Sequence, residues 1–402
     1  MKPRILILMH YMELGGAESA LLGLLQSVDP VKASVDVFIY DHRGEFMSLI
    51  PKDKVNLLPQ IPAYSMLERP IKELVKNGFW RLALARILGR RETAKNTLKN
   101  VNHLDDASGF FYQSRRTVKC LPKIQPDVEY DLAISFLTPH FIALEKVNAK
   151  KKIGWIHTDY TKVFVDAAAE LKMWSRLDNI ASISPDVTRK FCEVFQSLEN
   201  KIVEIENILS PDFIRTRAEL GNAFEMNHNG VKLLTIGRYC PQKNMENIPE
   251  ICRKLVDAGY DISWYIIGYG SSEIESQVRE NADKFGVADR VVLLGKRDNP
   301  YPYIKACDIY VQPSRYEGKS ITVREAQILC KPVLITNYPT AKSQVQNGVD
   351  GVIALLNSEG CAQALAEFIN DKDQQQEIVD YLATHDYGNT SEIEKIYKLA
   401  EV

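Results

Sequence analysis

A chain of 402 residues is too long for one ordinary hydrophobic core and divides naturally into two domains of common size. Its composition, 45% apolar and 25% charged, is that of a soluble globular protein, and a net charge of -2 argues against the broadly basic surface by which proteins hold nucleic acid. Seven scattered cysteines without a Cys-x-x-Cys pair argue against a zinc site or redox couple, and no run approaches the roughly 20 apolar residues that a membrane-spanning helix needs.

Short apolar runs alternate with helix-patterned segments from end to end. The opening run, residues 5–9, is too short for a secretion signal, so the expected location is cytoplasmic. In chain order the predicted strands are 4–10, 34–40, 131–136, 152–157, 179–184 and 202–206, then 231–237, 262–268, 290–294, 308–312, 332–336 and 351–355. Most are apolar on both faces, which is the mark of parallel strands covered by helices on each side. Such alternation implies right-handed βαβ units and two open, doubly wound α/β sheets of Rossmann-like type. A break is expected near 207–229, where Ser210-Pro211-Asp212 reads as connector. Open sheets bind ligands beyond the carboxyl ends of their strands, so the residues that follow each strand carry the functional information.

After the first strand, Gly15 and Gly16 open an apolar helix at 17–25. Glycines permit close backbone approach, and a helix N-terminus offers free N–H groups to an anion. The pattern is not Gly-x-Gly-x-x-Gly, and a glycine turn without a ligand is the competing explanation. Residues 66–100 hold nine Lys or Arg against three Glu, interleaved with Leu74, Phe79, Trp80, Leu82, Leu84, Ile87 and Leu88. Such a basic amphipathic segment suits an anionic membrane surface, or else packs on the first sheet with a solvated basic face. His157 ends a strand and is expected to face a cleft, although a lone histidine is more often structural.

In the second half, Gly237-Arg238 ends a strand and Lys243-Asn244 follows on the same loop. An arginine fork and a lysine point charge there can clamp a diphosphate and hold the charge that develops on it as it departs. Gly268 and Gly270, and then Lys296, follow the next two strands, where backbone groups would meet a base or merely form tight turns. The most informative run is 313–326. Glu317 precedes a helix and Glu325 lies within it, while the N–H groups of Lys319, Ser320, Ile321 and Thr322, after Gly318, are expected to point between the two acids. Carboxylates hold sugar hydroxyls and a helix tip holds phosphate. Asp371-Lys372-Asp373 lies between helical segments and reads as a solvated turn, so no metal is implied.

Gly15-Gly16-Ala17-Glu18, Gly237-Arg238 with Lys243-Asn244, Gly268-Tyr269-Gly270 and the Glu-x7-Glu pair Glu317 and Glu325 resemble glycosyltransferase family 4, of the GT-B fold. The resemblance implies two Rossmann-like domains facing each other across a cleft: an acceptor domain over 1–206, a donor domain over 207–385, and a terminal helix, 386–402, returning to the first domain. It implies a retaining, metal-independent transfer with a nucleotide-sugar co-substrate, taken as a UDP-sugar from family usage, and no other cofactor. Arg238 and Lys243 would hold the diphosphate, Glu325 the ribose, Glu317 the donor sugar, and His157 would lie beside donor and acceptor. Gly16 would meet the phosphates from the N-terminal side. Lys319-Ser320 stand where the family often has an apolar residue and then Gly or Pro. The expected acceptor is a saccharide or a polyprenyl-diphosphate-linked oligosaccharide in capsule, lipopolysaccharide or related assembly, with the cytoplasmic face of the inner membrane as a further surface. A sugar-nucleotide epimerase or hydrolase of the same fold, or a non-catalytic sugar-nucleotide-binding protein, are the alternatives.

Overall fold

Every apolar run predicted as a strand forms one in the computed structural model, which describes residues 2–13, 15–100, 105–223 and 225–401. The chain groups into two units: Met1–Ile208 with Thr390–Val402, and Leu209–Asn389. The expected divisions at 206/207 and 385/386 shift by two and four residues. Leu209 is buried in the second unit's core, and its N–H donates to the Gly388 carbonyl at 2.7 Å, which keeps both ends of that unit together.

The first unit holds β1 (Arg4–Met9), β2 (Ser34–Ile39), β3 (Asn56–Leu57), β4 (Asp105–Asp106), β5 (Tyr130–Ser135), β6 (Ala149–Ile156), β7 (Val163–Phe164), β8 (Asn179–Ser182) and β9 (Ile202–Glu204). Seven of them form one parallel sheet in the order β3-β2-β1-β5-β6-β8-β9, and β4 pairs with β7 separately. The second unit holds β10 (Val231–Ile236), β11 (Ile262–Ile267), β12 (Val291–Gly295), β13 (Ile309–Gln312), β14 (Val333–Thr336) and β15 (Val352–Ala354). These form one parallel sheet in the order β12-β11-β10-β13-β14-β15. Five consecutive residues of β1 and all of β11 are buried, as strands covered on both faces must be.

Both sheets reverse direction once. The chain runs from β1 to β2 on one side and later returns to β5 on the other; likewise β10 leads to β11 on one side and β13 lies on the other. Loops leaving adjacent strands in opposite directions open a crevice at the β1/β5 and β10/β13 carboxyl ends.

Three local expectations change. Ser210-Pro211 starts a helix, Pro211–Glu219: the Ser210 hydroxyl accepts from the Phe213 N–H, and proline suits the first helical position because its missing N–H would have no partner there. The basic 66–100 segment is not one helix. It breaks at Gly78 (φ +81°) between Ile71–Lys76 and Trp80–Thr97. Asp371 caps the helix Lys372–Thr384, accepting from the Gln374 N–H at 2.9 Å.

Candidate functional site

The β10/β13 crevice of the second unit gathers most of the predicted residues. Gly237 and Gly268 sit where the loops after β10 and β11 touch. A Cβ on Gly268 would lie 2.0 Å from the Gly237 carbonyl oxygen, and one on Gly237 would press on the Lys243 side chain at 3.2 Å. Gly270 (φ +148°) pairs its backbone with Tyr239. These glycines therefore serve loop packing first. Lys296 is exposed after β12 with its Nζ 5.0 Å from the centre of the Tyr269 ring, a cation–π distance.

Arg238, directly after β10, is exposed and has no hydrogen-bond or ion-pair partner among the described residues. Lys243 is fixed instead. The short turn Pro241–Lys243 ends in Asn244, which adopts the left-handed region (φ 57°). The Asn244 amide donates to the Pro313 carbonyl at 3.0 Å and accepts from Asn247 at 2.6 Å. Asn244, expected to bind the donor, thus spends its polar groups latching the β10 loop to the end of β13. The Arg315 N–H reinforces that latch by donating to the Gln242 carbonyl at 2.8 Å.

The latch brings Lys243 onto Glu317. The ammonium lies 2.7 Å from Glu317 Oε1, and the residue carrying that carboxylate is only 8% exposed. Ser314 Oγ donates to the same oxygen at 2.6 Å and Gln242 Nε2 to Oε2 at 3.2 Å. Gln312 Nε2 stands 3.4 Å from Oε1 and donates to Ser314 Oγ at 2.7 Å, while Tyr310 and Thr322 hydroxyls donate to its Oε1 at 2.8 and 3.2 Å. Burying a carboxylate is costly unless it is paired and hydrogen-bonded, and Glu317 is both. Sequence reading missed Gln242, Gln312 and Tyr310; a polar residue closing the apolar strand Ile309–Gln312 was the one visible signal.

Beyond Gly318 the helix Ile321–Ile328 begins, with Ser320 as its cap. Its tip is less open than expected. The Gln344 side chain takes both backbone groups of Ser320, accepting from the N–H at 2.9 Å and donating to the carbonyl at 2.5 Å. Ser320 N–H is therefore not available to a phosphate; Lys319, Ile321 and Thr322 flank it, each partly exposed. Glu325 lies within the helix, 4% exposed, and accepts from the Tyr301 hydroxyl at 3.0 Å. Burial first, and then the charges of Glu325 and Glu317, push the Tyr310 phenol up.

Three predicted residues, Gly15, Gly16 and His157, belong to the first unit. Gly15 caps the helix Gly16–Gln26 in extended backbone, and a Cβ there would lie 2.3 Å from Glu18 Oε2. The helix tip expected to receive an external anion thus carries its own carboxylate. His157 packs on Phe136 (ring centres 4.7 Å) and stacks with Trp155 (5.8 Å). Burial pushes its pKa down to about 4, so the ring is neutral near pH 7, and Nε2 is buried with no hydrogen-bond partner among the described residues. Asp159 only closes a turn, accepting from the Thr161 N–H and hydroxyl at 2.8 and 2.6 Å.

The family model described as "Glycosyl transferases group 1" matches residues 217–384, nearly the whole second unit. The chain is 26% identical over 149 residues, 37% of its own length, to the Escherichia coli UDP-Gal:alpha-D-GlcNAc-diphosphoundecaprenol alpha-1,3-galactosyltransferase. It is 28% identical over 145 residues, 36% of its length, to the Staphylococcus aureus capsular polysaccharide biosynthesis glycosyltransferase CapM. The matches span 38% of the length of each of these two relatives. Among solved structures, Anabaena HepE in complex with UDP aligns over 99% of both chains (TM-score 0.65, 16% identity) and S. aureus TarM over all of both (TM-score 0.67, 14% identity). These likenesses show the fold, two Rossmann-like domains of the GT-B class.

Proposed function

We propose that a chain carrying a glycosyl transferases group 1 domain over residues 217–384 is a retaining, metal-independent glycosyltransferase. It moves a sugar from a nucleoside diphosphate, uridine in the first instance, to a saccharide or polyprenyl-diphosphate-linked acceptor in cell-surface polysaccharide assembly. The observation that carries this reading is the seating of Lys243 on buried Glu317 at the reversal point of a parallel sheet, with Arg238, unpaired among the described residues, on the same loop. The names of the E. coli and S. aureus relatives and the UDP held by HepE support the donor and acceptor classes. The same reading seats the protein peripherally on the cytoplasmic face of the inner membrane.

Chemistry follows from what is free and what is engaged. Both Glu317 oxygens already accept hydrogen bonds, so this carboxylate is a poor nucleophile and a good fixed anion, able to orient Lys243 and accept from a sugar hydroxyl. That favours a single-step path on one face. The acceptor oxygen bonds the anomeric carbon as the bond to the diphosphate breaks, and the acceptor's proton passes to the departing phosphate oxygen. Arg238 and Lys243 hold the charge that builds there. Melting curves with UDP, GDP and ADP test the donor, and acceptor-dependent release of UDP from a UDP-sugar tests the transfer. The reading fails if no nucleoside diphosphate raises the melting temperature, or if turnover proceeds equally without an acceptor.

A further inference from the structure

A second crevice lies in the first unit, at the corresponding reversal point. A cavity of about 290 Å³ opens beyond β1, β2 and β5, with Tyr11, Tyr40, Tyr64 and Phe110 on its walls. Four arginines lie in or beside it, and they divide into two kinds. Arg43 and Arg69 are spent on the local acids: Asp41 accepts from both at 3.1 and 2.9 Å, and Glu68 accepts from Arg43 at 2.8 Å and pairs with His10 at 3.2 Å. Arg86 and Arg90, one helical turn apart on the helix Trp80–Thr97, are surplus. Arg86 is 6% exposed, gives one hydrogen bond to the Arg69 carbonyl, and leaves its Nε buried without a partner among the described residues. Arg90 is exposed and has no partner among the described residues.

Resting on the transferase reading above, we propose that this cavity is the acceptor's phosphoryl site, with Arg86 and Arg90 gripping a phosphate or diphosphate. A buried guanidinium without an ion-pair partner costs several kcal/mol in general, and a second cation beside it raises that cost. Burial and then Arg90 lower the Arg86 pKa, and the charge of Glu68, which is paired with Arg43 and His10, offsets this only in part; a bound dianion would reverse it. Two arginine forks suit the geometry of phosphate. The rest of the ligand follows from the walls of the same cavity. Leu67, Phe110 and Ile142 line it together with Arg86 and Arg90, whereas the exposed Trp80, Leu84, Ile87 and Leu88 lie across the helix from buried Arg86. An anionic head against Arg86 and Arg90 and an apolar tail along those walls describe a lipid-linked phosphate; a soluble sugar phosphate would use the head site alone.

Titration calorimetry of the full chain with farnesyl diphosphate, farnesol and inorganic pyrophosphate separates these sources. Farnesyl diphosphate is expected to bind, to lose at least tenfold in affinity in Arg90→Gln, to recover in part in Arg90→Lys, and to be unaffected by Lys243→Ala. Arg90 is exposed, so its replacement spares the fold, whereas Arg86 is buried. Equal binding of pyrophosphate and farnesyl diphosphate, both lost in Arg90→Gln, keeps the site and assigns it to a soluble acceptor. Unchanged affinity in Arg90→Gln, or farnesol binding as tightly as its diphosphate, overturns the proposal. The UDP melting shift reads the second unit separately, so losing it while farnesyl diphosphate still binds defeats the transferase reading alone.

Discussion

At Lys243 and Glu317 the consequence of a substitution depends on which partner remains. Lys243→Ala leaves a buried carboxylate without its ion-pair partner, which costs about 3–5 kcal/mol and should lower the melting temperature, while Ser314 and Gln242 still donate to it and kcat is read below that temperature. Turnover should fall by about 100-fold, the usual cost of removing one donor from developing charge, read as kcat for UDP release with acceptor saturating. An unchanged kcat removes Lys243 from the chemistry. Protonation gives a second test. Burial pushes His140 down to about 3 and His157 to about 4, against an ordinary 6.5, while Glu170 is pushed up to about 7 from 4.5. A depressed histidine binds fewer protons folded than unfolded, so its contribution is present above pH 6.5 and is lost as pH falls toward 4. Glu170 has the opposite sign, stabilising below 4.5 and losing that contribution as pH rises through 7. Melting temperature should therefore drop on acidification from pH 6.5 to 4, less steeply in His157→Gln and more steeply in Glu170→Gln; equal slopes would mean neither burial penalty is real. Arg238, Lys243 and Glu317 could be singled out in the sequence because each follows the carboxyl end of an apolar strand, and Glu325 because it lies eight residues beyond Glu317 on the helix that follows. The parts that Asn244 and Gln344 play could not be read there, because an amide's role is decided by which distant backbone it meets.

Strands were legible for a similar reason: a run such as 262–267, apolar on both faces, has few other places to go than the middle of a parallel sheet. The two-residue strands β3, β4 and β7 fall below any periodicity, and pairing with a neighbour alone makes them strands. The Gly237/Gly268 contact shows what an element-scale constraint predicts. Gly268→Ala must push the β10 and β11 loops apart, since its Cβ would meet backbone rather than a flexible side chain. A loss of about 1–3 kcal/mol is expected, with weaker UDP binding; denaturant melts and UDP titration check both, and a neutral outcome on both would mean the contact opens freely. The helix Trp80–Thr97 makes a separate prediction. Its exposed apolar face continues into Arg91 and Lys95, with Arg81 beside it, a combination suited to an anionic bilayer surface. The protein should co-sediment with phosphatidylglycerol vesicles at low salt, and Trp80→Glu with Leu84→Glu should abolish it. Equal sedimentation of wild type and variant would remove this face from membrane contact.

The chain crosses between units twice, at 208/209 and at 389/390, so the first unit is completed by the segment that follows residue 389. The returning segment is well tied. Tyr397 Oη accepts from the Asp29 N–H at 2.8 Å, Glu392 accepts from the Glu206 N–H at 3.0 Å, and Lys32 meets Glu394 at 2.6 Å. Ile393, Ile396, Tyr397 and Ala400 are buried along the helix Ile393–Ala400. Burial of each large apolar side chain contributes about 1.5–3 kcal/mol, less where the unfolded chain is already compact. A chain ending at Asn389 should therefore melt in two steps, the first unit lowered by roughly 10 °C. The second unit is continuous from Leu209 to Asn389 and keeps its whole sheet, so its transition should stay in place and still rise with UDP. Calorimetry of full and shortened chains, each with and without UDP, separates the transitions. If shortening moves the UDP-sensitive transition and spares the other, the terminal helix stabilises the donor unit instead, and the assignment of the last residues to the first unit is wrong.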